Sequence, residues 1–101
     1  MPNYSSKQIF TPEVILETTL GHEDIELFIN GLSSLTPTEK AIYEAHIARV
    51  TSKEIMANLN IKESTLKFHN RNLYGKLGVS SRKELLEVYK HIISIKNYVN
   101  N

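Results

Sequence analysis

Cysteine is absent from the 101 residues. That removes a disulfide framework and any thiolate zinc site, and it suits a reducing cytoplasm, the compartment expected for this chain. No apolar run approaches the ~20 residues needed to span a bilayer, and Met1 to Phe10 lacks the basic start and apolar middle of a secretion signal. Glycine is scarce and scattered, at Gly21, Gly31, Gly75 and Gly78, so no glycine loop is built to cradle a phosphate. The histidines lie far apart, and none pairs with His46 at a metal-binding spacing. Lacking a nucleophile with a base, paired acids or a metal cluster, the chain reads as a non-enzyme that calls for no cofactor.

Net charge is also small, +1 at pH 7, but its distribution is uneven. Residues 1–35 carry Lys7 against Glu13, Glu17, Glu23, Asp24 and Glu26. From Lys62 to Lys83 there are six cations and one glutamate. The basic charge is therefore local, as expected of a face that meets nucleic acid. The length and a hydrophobic fraction of 41% suit one small domain with a modest core, which a second copy or a covalent neighbour would support.

The charged window contains the most informative stretch, Thr51 to Leu77. It reads as a short helix, a three-residue turn Asn60-Ile61-Lys62 and a longer helix, the layout of a helix-turn-helix. Ser52 and Thr51 compete to cap the short helix, and Thr51 with Glu54 has capping-box spacing. Ile55 and Leu59 share one side, and Asn60 suits the left-handed residue that ends a helix. At about 100° per residue, Leu66, His69, Leu73 and Leu77 of the longer helix, residues 64–77, fall together. Ser64, Lys67, Phe68, Arg71 and Gly75 fall opposite. Such a helix is apolar where it meets a core and cationic where it meets a groove.

Leu35 to about Ile92 resembles the LuxR/GerE-type DNA-binding domain of bacterial transcription regulators. The matching residues are Leu35-Thr36-Pro37 with Glu39, Ser52-Lys53-Glu54-Ile55, Thr65-Leu66-Lys67-Phe68-His69, Asn72-Leu73, Lys76-Leu77-Gly78-Val79 and Ser81-Arg82. The resemblance implies an all-α fold: a four-helix helix-turn-helix domain over residues 34–97. An acidic helical segment or linker, residues 1–33, precedes it, and a tail, residues 98–101, follows. It implies sequence-specific binding of double-stranded DNA in transcription control, with residues 64–77 in the major groove. Lys67, Phe68 and Arg71 would then contact bases, and Lys53, Ser64, Thr65, Asn72 and Lys76 phosphates. It also implies a homodimer on DNA through Leu86, Tyr89 and Ile93 of the last helix. RNA polymerase and a separate sensor domain or partner protein are the further partners it brings to mind. Arg49, Met56 and Gly75 depart from the family pattern: glycine is common at the first position, a small residue at the second, and a helical glycine at the third costs about 1 kcal/mol relative to alanine. These departures keep a competing reading open, a protein-interaction module on the same fold with DNA binding lost.

The remaining elements follow from local chemistry. Thr11-Pro12-Glu13 starts a helix that runs to near Gly21. His22 to Asn30 forms another, with Ile25, Phe28, Ile29 and Leu32 as its apolar stripe and Gly31 as its end. Thr36, Pro37 and Glu39 open the first domain helix through a capping box, and Ile42, Tyr43, His46 and Ile47 line its inner side. Ser80 or Ser81 caps the last helix, which runs to about Asn97. Its apolar residues, from Leu85 to Val99, cover an arc of about 180°, more than the ~100° one core requires. Either a dimer or the N-terminal segment is expected to cover the excess.

Overall fold

A computed structural model describes residues 22–100 and the side chains of residues 23–98. The helix expected from Thr11 to Gly21 lies outside the described residues. The described residues form five helices and no strand: α1 (His22–Leu32), α2 (Pro37–Ile47), α3 (Ser52–Leu59), α4 (Glu63–Leu77) and α5 (Arg82–Asn100). The all-α fold is as expected, with α2 to α5 forming the four-helix unit and α1 ahead of it.

The helix starts are set by side chains. Thr36 Oγ1 accepts from the backbone N–H of Glu39, and the Glu39 carboxylate accepts in return from the Thr36 N–H. Thr51 and Glu54 make the same reciprocal pair at α3, so Thr51 rather than Ser52 is the cap. Each cap satisfies N–H groups that the helix itself leaves open, worth ~1 kcal/mol. At α5, Ser81 Oγ accepts from the Glu84 N–H, while the Glu84 carboxylate accepts from the Ser80 N–H and hydroxyl.

Three helix ends are alike. In α2, Arg49 N–H donates to His46 O and Val50 N–H to Ala45 O. In α3, Asn60 N–H donates to Ala57 O and Ile61 N–H to Met56 O. In α4, Gly78 N–H donates to Gly75 O and Val79 N–H to Tyr74 O. Each is a Schellman closure around one left-handed residue, with φ of 64° at Arg49, 55° at Asn60 and 72° at Gly78. The residue after it, Val50, Ile61 or Val79, packs on the core. Met56, half-buried, is part of the second closure and also packs on the core.

The core joins Phe28, Ile42, Ile55, Leu66, Leu73, Leu77, Leu85 and Val88, so every helix contributes. Fully burying such a side chain is worth about 1.5–3 kcal/mol. Phe28 belongs to α1, which is therefore part of this packing; its ring meets Tyr43 edge-on at 6.2 Å. α1 packs chiefly on α4 and less on α5. Two expectations for α1 need correction. Gly31 does not end the helix: it is buried inside α1, where a Cβ would overlap the Lys76 carbonyl oxygen of α4. Glycine sits there because two helix backbones touch. Ile29 does not face the core either, and is 48% exposed.

On α5, Leu85, Val88 and His91 are buried, while Leu86, Tyr89, Ile92 and Ile93 are half-buried. Ile95 and Tyr98 are exposed, Tyr98 to 83%. Among the described residues, no helix is long and apolar enough to cross a membrane.

Candidate nucleic-acid interface

The longer motif helix, α4, begins at Glu63, with Lys62 in extended geometry before it and no side chain capping the first turn. Its inner side is made by Leu66, Leu73 and Leu77, all buried. Asn70 falls on the same side, between Leu66 and Leu73, and its Oδ1 lies 2.9 Å from Nε2 of the buried His46. Half-buried there, the Asn70 amide finds its partner in this ring. His69, grouped with the leucines by periodicity, is instead half-buried at the edge, its ring 5.6 Å from that of Phe68.

The opposite side is open. Lys67, Arg71, Ser64 and Gly75 are exposed, and Phe68 is 50% exposed. The Arg71 guanidinium carbon lies 6.0 Å from the centre of the Phe68 ring, the outer reach of a cation–π contact. Lys67 Nζ is 3.5 Å from Glu63 one turn back, both side chains well exposed. Exposed pairs of this kind hold by ~0.2–1 kcal/mol, so the ammonium is easily drawn to a stronger anion. A Cβ at Gly75 would meet nothing within 4 Å.

The residues expected to meet phosphate divide. Lys53 and Ser64 are exposed; Thr65 and Asn72 are half-buried on one flank of α4. Lys76 is placed differently. Its ammonium donates to Glu39 Oε1 at 2.6 Å and to Ser34 O at 3.1 Å. Glu39 is only 4% exposed, and the Lys76 hydrogen bond, followed by that of the Thr36 N–H, holds its carboxyl below the usual range. The charge of Lys76 thus balances a buried carboxylate and ties α4 to the start of α2.

Two further polar residues tie the helices together, Asn70 holding α4 to α2 and Arg82 holding α5 to the α2–α3 turn. Asn70 is polar at a core phase, and that signal alone would have flagged it. Arg82, at the start of α5, donates from its guanidinium to the Val50 carbonyl in the α2–α3 turn, joining helices far apart in sequence. An apolar cleft of about 370 Å³ opens between α1 and α2, lined by Ile29, Leu32, Leu35 and Tyr43 among others, with no α4 residue. Burial pushes the Tyr43 hydroxyl up to about 12.

Several regulators share this sequence pattern. A probable transcriptional regulatory protein SgaR of Hyphomicrobium methylovorum is 37% identical over 81 residues, 70% of this chain and 38% of that protein. The HTH-type transcriptional regulator MalT of Vibrio campbellii is 26% identical over 96 residues, 95% of this chain and 10% of that protein. MalT of Yersinia pestis is 29% identical over 87 residues, 86% of this chain and 10% of that protein. The chain thus spans only a minor part of these relatives. No solved structure matches it. The profile of bacterial regulatory proteins, luxR family, matches residues 33–89, which carry α2, α3, α4 and the first part of α5. The chain belongs to the luxR family of bacterial regulatory proteins.

Proposed function

We propose that this chain binds double-stranded DNA sequence-specifically in bacterial transcription regulation, with α4 in the major groove. The observation that carries the reading is the two-sidedness of α4. Its leucines and Asn70 are held inside, while Lys67, Phe68 and Arg71 stand together outside. Arg71 has the planar fork that fits guanine O6 and N7, Lys67 offers a cation to the same edge, and Phe68 offers an apolar surface for thymine methyls. Lys53 and Ser64, with Thr65 and Asn72 on the flank, serve the phosphates. The open first turn of α4 adds backbone N–H groups to that set. Lys76 is not given a phosphate role, because its charge is already matched by Glu39.

A homodimer on DNA extends the reading. Leu86, Tyr89 and Ile93 are only half-buried and Ile95 and Tyr98 are exposed, so α5 keeps apolar surface for a second copy. Two copies would suit inverted half-sites about one helical turn apart. RNA polymerase and a sensor domain or partner protein belong to the same reading of a regulator.

Selection of bound sites from random DNA, followed by affinity measurements over a salt series, tests it. Binding is expected to fall steeply with salt, because phosphate neutralisation releases counterions. Arg71→Ala should weaken the selected sequence more than random DNA, by ~1–3 kcal/mol of discrimination. Absence of binding, or a flat salt response, would favour the protein-interaction module instead.

A further inference from the structure

Three turns in this domain share one geometry, and one holds a residue ill-suited to it. Gly78 carries no Cβ penalty in the left-handed region, and Asn60 is among the side chains that tolerate it. Arg49, at φ 64°, is neither. No contact of its side chain among the described residues offsets that backbone cost. The Arg49 side chain is exposed, and its guanidinium has no hydrogen-bond or ion-pair partner among the described residues. The nearest acid after it in sequence, Glu54, accepts from the Thr51 N–H and hydroxyl through Oε1. A backbone outlier of this kind points outward, to something the side chain does for a ligand.

The position narrows what that ligand is. Arg49 stands two residues before the cap of α3 and four before the exposed Lys53. In a docked helix-turn-helix the first motif helix crosses the sugar-phosphate backbone. The root of the arginine is also tied down on both sides. Two backbone hydrogen bonds close its turn, Val50 packs on the core, and Arg82 grips the Val50 carbonyl. A fixed root means less freedom lost when the guanidinium is ordered by a partner. A guanidinium fork matches a phosphate in a way a glycine turn cannot.

We infer that Arg49 is a phosphate-contacting residue of the DNA interface, acting with Lys53 at the start of α3. The inference rests on the DNA-binding reading above. It makes Arg49 a positional trade of fold stability for backbone affinity, independent of base sequence.

The test compares the full chain with Arg49→Gly and Arg49→Lys on a random-sequence duplex, by fluorescence anisotropy over a salt series, beside thermal unfolding of each protein. Arg49→Gly should melt ~4–8 °C higher, as the left-handed strain is relieved. Its salt dependence should be shallower by about 0.9 in log–log slope, one phosphate contact fewer. Arg49→Lys should keep the wild-type slope without the gain in melting temperature. An Arg49→Gly slope equal to that of wild type, on DNA that wild type binds with steep salt dependence, overturns the inference and leaves the DNA-binding reading standing. If wild type itself does not bind the duplex, both fall together.

Discussion

His46 and Asn70 face one another across the α2–α4 contact, with Nε2 to Oδ1 at 2.9 Å. The amide oxygen accepts, so Nε2 carries the proton and Nδ1, also buried, has no partner among the described residues. A second tie, Lys76 to Glu39, joins the end of α4 to the start of α2. Together the two ties hold the rotation of α4, and with it the direction in which Lys67, Phe68 and Arg71 point.

The first tie has a pH signature. Burial pushes the His46 pKa below its ordinary value, against the raising effect of the Asn70 bond, and the Arg82 cation adds to the depression. The folded chain therefore resists a proton that the unfolded chain accepts below about 6.5. His46 favours folding fully above that pH and progressively less as pH falls below it. Urea unfolding from pH 8 to 5 should show this decline, with a smaller slope in His46→Gln, whose amide can still donate to Asn70 but cannot take up a proton. Equal slopes in the two proteins would exclude His46 as the source.

The second tie governs the more acidic range. Glu39 is held below its reference value of 4.5, so its contribution is present above that pH and is lost as pH falls through the depressed value. Glu39→Gln keeps an oxygen for the Thr36 N–H but loses the ion pair. The expected destabilisation is about 1–2 kcal/mol near neutrality, moderated because Lys76 is a third exposed and water takes up part of its donors. Denaturant titration at pH 7 and pH 3 checks it: the difference between variant and wild type should shrink at the lower pH.

Gly31 and Gly75 should respond in opposite ways to alanine. At Gly31 the new methyl meets the Lys76 carbonyl, which is helix backbone and cannot turn aside. α1 must lift from α4, and a loss of about 2 kcal/mol follows. Thermal unfolding should show the drop, and a melting temperature unchanged from wild type would mean the two backbones are not in contact.

At Gly75 the methyl enters open space in ordinary helix. Gly75→Ala should gain about 1 kcal/mol from helix propensity alone. The fold does not use this glycine, so any accompanying loss in duplex affinity would report close approach of DNA to that patch of α4. A stability equal to wild type would show that the end of α4 is frayed in solution.

What was legible in the sequence was mostly local. The capping boxes at Thr36 and Thr51 each close over three residues, and the left-handed position of Asn60 follows from its place after an apolar helix side. The outward phase of Lys67, Phe68 and Arg71 follows from helical period alone. The rest depends on partners that lie far along the chain. Gly31 resembles a helix stop until Lys76 is seen against it. Lys76 resembles one more free cation until Glu39 is found beneath it. Asn70 looks misplaced among leucines until His46 supplies the other half of the hydrogen bond. Spacing reports which side a residue takes, while what it meets there depends on how the helices cross.

The seat that Gly31 makes for α1 has a mechanical consequence. Backbone resting on backbone leaves no side chain at that point whose rotamer could change, so altering the crossing there means moving one whole helix against the other. The seat therefore sets how closely α1 crosses the helix that carries Arg71, a spacing that no residue larger than glycine at position 31 could keep.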